Sequence, residues 1–234
     1  MREIAQIRQL SLWIFIIPLV AINTCLFIAI NSSFFEGSIF AVDMIGKSNF
    51  TIPYIDGSLS ISRASRTFPQ YLIFKPAMFF TALLLYFYWK KNNFLINELN
   101  NVSNKNYKFK TFGILSAIFL IIHSFFLGVD IDVKAFKLFR RVVLLGFIIF
   151  EIIAQGFLVY HLFVLKNKIK NLFNHKFLIM KIFLVTLLVA VALLSIPMLV
   201  TKGNIHFKHA LEWNYFIGVI SFYLLTRLFW KKNL

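Results

Sequence analysis

Long apolar segments recur along this chain, and they constrain its fold more than any other feature of the sequence. Six of them are long enough to cross a bilayer, which takes about 20 helical residues. Because lipid offers no partner for unpaired backbone groups, each segment is predicted to be a helix. The six predicted spans are Leu10–Ile30, Tyr71–Trp89, Phe112–Val129, Val142–Leu165, Phe177–Val200 and Trp213–Trp230.

The composition supports a membrane location. The chain has 234 residues, of which 59% are hydrophobic and 15% are charged, and a soluble domain of this size could not bury so much apolar surface. We therefore predict an all-α, polytopic membrane protein, with residues 1–234 forming a single six-helix transmembrane domain. The first segment follows two arginines, as in a secretory signal, but its apolar run is long for one and we expect a retained helix.

Charge bias between the connecting segments predicts the orientation. With the N-terminus in the cytoplasm, six spans return the C-terminus to the same side. The cytoplasmic segments then hold fourteen basic residues and two acids, whereas the exterior segments hold ten basic residues and six acids. The net charge of +16 is spread between apolar spans, so it is explained by the membrane and not by nucleic acid. The single cysteine, Cys25, excludes an intrachain disulfide and a cysteine-based metal site.

The exterior loop after the first span, residues 31–70, is about forty residues long and is predicted to be partly folded. A short interfacial helix is expected over Ser33–Gly46. The cytoplasmic segment Asn92–Lys110 is rich in Asn and Lys and is interpreted as a solvated linker.

The second half of the exterior loop leads into a polar stretch, Ile52–Pro76, that carries the first set of candidate site residues. Leu59 and Ile61 alternate with serines, which predicts a short strand. Two arginines three residues apart suit a phosphate, because each guanidinium can donate a bidentate pair. The alternative is a solvated loop. The candidate ligand-binding residues of the loop are Asp56, Ser58, Ser60, Ser62, Arg63 and Arg66.

A second set of candidates consists of ionisable residues in or beside the spans, where charge is costly and usually functional. His123, Asp130, Glu151 and Glu212 are the candidate catalytic groups, the first two lying seven residues apart on one helix face. Two of them have a structural alternative: Glu212 as an acid in the first turn of a helix, and His123 as a packed core histidine. Further ligand-binding candidates are Tyr71, Lys75, Gln155, Trp213 and Asn214.

No standard catalytic signature is present. The sequence lacks a GxSxG elbow, an HExxH motif, a Walker loop and a dinucleotide glycine pattern. His, Asp and Glu at one depth can run acid–base chemistry, but no tight spacing supports a metal site, and none is predicted. The cofactor, if any, stays undetermined by the sequence.

Three short segments resemble the Frag1/DRAM/Sfk1 family. They are PYIDGSLSIS (Pro53–Ser62), FPQYLIFKPAMFFTALLL (Phe68–Leu85) and HALEWNYF (His209–Phe216). The resemblance implies six transmembrane helices, a sizeable exterior loop after the first, and work on membrane lipids or lipid anchors. It departs from the family pattern after the later proline, where no acidic residue follows.

The functional hypothesis is a protein that binds, and in its stronger form remodels, a membrane lipid in an exterior-facing polar pocket. Arg63, Arg66 and Lys75 hold an anionic head group in this hypothesis, and the four ionisable residues line the pocket. The reaction, if there is one, is acyl or head-group transfer. The alternatives are a non-catalytic lipid-binding scaffold and a small transporter in which Glu151 handles protons. The expected location is the bacterial inner membrane, or a eukaryotic endomembrane or plasma membrane.

Overall fold

Helices form nearly all of the chain that the structure describes. The structure is a computed structural model that describes residues 2–35, 37–39, 51–102, 104–129, 131, 133–201 and 203–231. The helices are α1 (Arg2–Ile30), α2 (Pro53–Asp56), α3 (Ile61–Ser65), α4 (Gln70–Asn100), α5 (Lys108–Phe126), α6 (Lys134–Val164), α7 (His175–Val200) and α8 (Ile205–Phe229). A 3-10 turn at Ser32–Phe35 follows α1.

The six long helices pack as a closed ring in chain order. Each of α1, α4, α5, α6 and α7 packs against the next long helix, and α8 closes the ring against α1. Successive long helices run in opposite directions, so the bundle has two ends. We name the segment 51–69, which contains α2 and α3, the cap, and the end of the bundle beneath it the cap end. The other end, which holds the lysine-rich loops, is the basic end.

Within the described part of the chain, five helices are long and apolar enough to cross a membrane: α1, α4, α5, α6 and the His175–Met198 part of α7. The chain is accordingly a multi-pass, all-helical integral membrane protein. The sixth predicted span coincides with α8, which carries Lys208, Glu212 and Arg227 and is not among these five.

The predicted helix centres agree with the structure, but several ends differ. α4 continues for eleven residues beyond Trp89, to Asn100, so the interpretation of Asn92–Lys110 as a solvated linker is wrong. Asn93 and Asn97 are buried, and their side-chain amides donate to the Lys105 carbonyl at 3.0 and 2.9 Å. These asparagines bind the loop that follows α4, because buried polar side chains need hydrogen-bond partners and a carbonyl of this loop supplies one.

Two further expectations concern the exterior loop. The predicted strand around Leu59 and Ile61 is wrong: Ile61 begins α3, and the described residues contain only an isolated bridge between Phe173 and Trp230. Of the interfacial helix expected over Ser33–Gly46, the described part is the 3-10 turn and residues 37–39, and the rest lies outside the described residues.

Candidate functional site

A cavity of about 100 Å³ lies inside the ring, beneath the cap. Residues of α1, α4, α5, α6 and α8 form its walls, and α3 of the cap contributes Ile61 and Ser62. Most of the wall is apolar, as in Ile14, Met78 and Phe147. A small-molecule site usually measures about 300–1,000 Å³, so this cavity fits part of a chain or a small polar group.

Three of the four predicted ionisable residues line this one cavity. They are His123 from α5, Glu151 from α6 and Glu212 from α8. The sequence predicts that they lie at related depths, and the packing of the six long helices into a ring brings them together around one cavity. Asp130, the fourth, lies outside the described residues.

Glu151 is buried and is held by three neighbouring side chains. Ser116 Oγ donates to its carboxyl at 2.5 Å, Gln155 Nε2 donates at 3.1 Å, and the Tyr223 hydroxyl donates as well. Gln155 also donates to the Val219 carbonyl at 3.2 Å, so this ligand-binding candidate is bonded within the protein. Residues from α5, α6 and α8 thus fix the carboxyl at the cavity wall. Such fixed geometry is what acid–base chemistry or proton transfer requires.

Glu212 and His123 lie nearer the cap. α8 begins at Ile205, so Glu212 is two turns inside the helix, and the alternative of a first-turn acid is wrong. The backbone N–H groups of Ile61 and Ser62 interact with its carboxylate. His123 Nδ1 is buried and, among the described residues, has no hydrogen-bond partner. Arg140 of α6 lies close enough to act electrostatically on the His123 ring.

The cap is docked on α8 by side chains that the sequence assigned to ligand binding. The Trp213 indole donates to the Leu59 carbonyl at 2.7 Å, and the Asn214 amide donates to the Tyr54 carbonyl at 2.7 Å. The rings of Tyr54 and Trp213 pack edge to face at 4.8 Å. Trp213 and Asn214 therefore bind the protein's own loop, which positions the roof of the cavity.

Serine and aspartate side chains of the cap likewise bond locally. Ser60 is the N-cap of α3 and accepts from the Arg63 backbone N–H at 3.1 Å. The Ser58 hydroxyl contacts the Thr51 hydroxyl, and both residues bond to Asp56. Of the predicted polar cap residues, only Ser62 is in the cavity wall.

Basic side chains surround the cap end. Arg63 is exposed and follows the cavity residue Ser62, while Lys75 follows the cavity residue Phe74. Lys75 Nζ lies 3.4 Å from the Phe125 carbonyl oxygen and 5.6 Å from the centre of the Tyr71 ring. Arg66 reaches the α5–α6 connection, where its carbonyl faces Gly128. With Arg140 they form what we call the cationic rim: Arg63, Arg66, Lys75 and Arg140.

Sequence reasoning missed Arg140, Ser116 and Tyr223. Tyr223 follows Glu212 by eleven residues, three helical turns, and this spacing could have placed both on one face of α8. Arg140 and Ser116 carried no such signal, because their distances to His123 and Glu151 depend on how α5 packs on α6. Among the described residues, no group of three or more His, Cys, Asp or Glu side chains is arranged to hold a metal ion.

The fold and site define a class: a helical, multi-pass membrane protein with a mostly apolar cavity beneath a folded cap. No protein-family model, curated protein or solved structure matches the chain. The cavity and its rim therefore carry the functional argument.

The Asp56 turn gives the cap a predictable pH dependence. The Ser58 N–H, the Thr51 hydroxyl and the Ile52 N–H donate to the Asp56 carboxylate and hold the pKa of this exposed group well below its usual value. A depressed folded-state pKa stabilises the turn above the unfolded pKa of about 3.9 and loses that contribution as the pH falls toward the folded value.

We expect hydrogen-exchange protection of the Ser58 amide to decrease below pH ~4, after correction for intrinsic exchange. In Asp56→Asn the protection should be lower at neutral pH and independent of pH over the same range. A pH profile in Asp56→Asn equal to that of the wild type would show that another group controls the turn.

Proposed function

We propose that this protein binds an anionic membrane lipid at the cap end, with part of one acyl chain in the cavity and the head group on the cationic rim. The observation that supports the proposal is a mostly apolar cavity at the same end of the bundle as Arg63, Arg66, Lys75 and Arg140. A cavity of about 100 Å³ is too small for a whole phospholipid head group, so the head group lies outside it.

The positive charge of the cationic rim favours a lipid whose head group carries a phosphate. Arginine binds phosphate with paired N–H donors, and lysine binds it as a point charge. Among the described residues the one ion pair, Lys91 with Glu3, lies at the basic end. Arg63 and Lys75 of the cationic rim form no ion pair with a carboxylate among the described residues.

We further propose that α8 is the sixth span and that both termini are cytoplasmic. The packing of α8 between α7 and α1 supports this topology, together with the excess of basic residues at the opposite end from the cap. The cap and its rim then face the exterior. In this setting the resemblance to the Frag1/DRAM/Sfk1 family favours lipid remodelling by His123, Glu151 and Glu212, and a non-catalytic lipid scaffold is the alternative.

The test is native mass spectrometry of the purified protein with phosphatidylglycerol or phosphatidylcholine. We expect tighter binding of phosphatidylglycerol, and we expect Arg63→Ala/Lys75→Ala to weaken it about tenfold, the loss of roughly one charge-assisted contact. The control is Lys105→Ala/Lys166→Ala, which removes the same charge at the basic end. Equal weakening in both double variants would reject a specific site at the rim.

The same samples separate the enzyme from the scaffold. If the protein remodels lipid, incubated wild type yields a lipid of altered mass, whereas Glu151→Gln and Glu212→Gln retain the intact lipid. Unaltered lipid on all three proteins, with rim-dependent binding, would identify a scaffold.

A further inference from the structure

A groove of about 350 Å³ lies between α1 and α4 at the basic end of the bundle. Its volume falls within the range of about 300–1,000 Å³ that is usual for small-molecule sites. The lining residues of each helix are spaced by three, four or seven positions, so each helix presents one face to the groove. They are Gln6, Gln9, Leu10 and Trp13 of α1, and Leu84, Phe87 and Lys91 of α4.

The predicted membrane boundary divides this groove into a polar part and an apolar part. The predicted first span begins at Leu10, and the predicted second span ends at Trp89. A phospholipid is divided in the same way, with a polar head group at the boundary and acyl chains in the bilayer. The lining residues beyond the spans are Gln6, Gln9 and Lys91, and those within them are Leu10, Trp13, Leu84 and Phe87.

A cation and an anion lie side by side at the polar part of the groove. Lys91 Nζ lies 3.0 Å from Glu3 Oε2, and the two side chains are 34% and 19% exposed. An ammonium group has three N–H donors, of which the two Glu3 oxygens occupy at most two. A zwitterionic head group complements such a pair, whereas a head group with only negative charge is repelled by the Glu3 carboxylate.

The Gln6 side chain distinguishes between zwitterionic head groups. Its Oε1 atom is buried and, in the part of the chain that the structure describes, accepts no hydrogen bond. A buried acceptor without a donor is costly, so a ligand that supplies an N–H group is favoured. The primary ammonium of phosphatidylethanolamine carries such donors, and the trimethylammonium of phosphatidylcholine carries none.

We propose that this groove binds one phosphatidylethanolamine molecule from the leaflet at the basic end. The lipid phosphate accepts from Lys91 and from the Gln9 amide, and the lipid ammonium donates to Gln6 Oε1 and Glu3. One acyl chain lies in the apolar part of the groove. The site is at the opposite end of the bundle from the cationic rim and takes a different class of lipid, so it is independent of the proposed function.

Tryptophan fluorescence in vesicles with brominated acyl chains measures which lipid occupies the groove. Trp13 is 45% exposed, whereas Trp89, Trp213 and Trp230 are at most 1% exposed, so Trp13 is the residue that bromine quenches most strongly. In mixtures of brominated phosphatidylethanolamine and unlabelled phosphatidylcholine, we expect about tenfold tighter binding of phosphatidylethanolamine, the effect of roughly one hydrogen bond to a buried group. Trp13→Phe should remove most of the quenching.

Gln6→Met tests the acceptor, because methionine has a similar length and no amide oxygen. We expect the two lipids to bind about equally in this variant. The control is Lys90→Met, because Lys90 adjoins Lys91 in the sequence but is not in the groove wall, and its Nζ lies 5.9 Å from the centre of the Tyr86 ring. This control should keep the wild-type preference.

Three results would each overturn the proposal: no preference for phosphatidylethanolamine in the wild type, an unchanged preference in Gln6→Met, or tighter binding of brominated phosphatidylglycerol than of phosphatidylethanolamine. Arg63→Ala/Lys75→Ala, which alters the cationic rim, should leave the quenching of Trp13 unchanged. The two lipid sites are therefore tested separately, and the failure of one does not decide the other.

Discussion

Gly57→Ala is expected to release the cap from α8. Gly57 ends α2 in the left-handed conformation, with φ +60°, and a Cβ atom there would lie 1.7 Å from the His206 carbonyl oxygen. The left-handed conformation costs alanine about 1–2 kcal/mol. The added methyl group would clash with backbone atoms of α8, which cannot rotate away as a side chain can, so the whole cap must move.

Movement of the cap breaks a set of contacts together. The Gly57 carbonyl bonds to His209 Nδ1 at 2.9 Å, and Trp213 and Asn214 of α8 also bond to the cap. Each such hydrogen bond contributes about 1 kcal/mol. We therefore expect Gly57→Ala to lower the free energy of cap opening by about 3 kcal/mol or more.

Trypsin cleavage after Arg63 measures this opening, because Arg63 is exposed but lies within the folded cap. The matched control is Gly203→Ala: Gly203 also has a positive φ, +95°, but nothing lies within 4 Å of its added Cβ. The control carries the conformational strain without the clash. If both variants are cleaved at the same rate, the close approach of the cap to α8 is not what holds it.

Gly113→Ala is expected to destabilise the bundle at the helix pair α4–α5. A Cβ at Gly113 would lie 2.3 Å from carbons of the Trp89 ring. Trp89 is fully buried, and its ring packs against Tyr88, Phe109 and Tyr223 at centroid distances of 5.0, 6.3 and 6.5 Å, so it has no free volume to enter. Overpacking of this kind costs about 1–3 kcal/mol, and we expect the upper end.

Thermal unfolding in detergent measures the effect of Gly113→Ala. Gly156→Ala is the control, because its nearest contact would be Val185 Cγ1 at an ordinary 3.7 Å, and alanine favours helix over glycine by about 0.5–1 kcal/mol. Adding Trp89→Phe to Gly113→Ala should recover part of the loss, since the smaller ring leaves room for the methyl group. Purely additive losses in the double variant would show that the two residues do not compete for the same space.

The sequence by itself determined the helices and the depth of the polar residues. A spanning segment must be long enough to cross the bilayer and must pair its own backbone polar groups, and both requirements apply to one segment at a time. A run such as Val142–Leu165 therefore predicts a spanning helix without knowledge of its neighbours. The same rules placed Glu151 at mid-depth and Glu212 near the cap end. They say little about polar segments beyond the lipid, which is why the extension of α4 to Asn100 and the helical cap were missed.

Only the tertiary structure decided which residues meet. The closure of α8 on α1 brings His123, Glu151 and Glu212 to one cavity, and the packing of α7 on α8 sets Lys181 against Thr226. The tertiary structure also shows that Trp213 and Asn214 form hydrogen bonds to the cap, a role that their predicted position at the membrane interface did not indicate. Helix periodicity fixes the direction of a side chain on its own helix, but the partner across the interface depends on ring order and helix rotation, which no local pattern encodes.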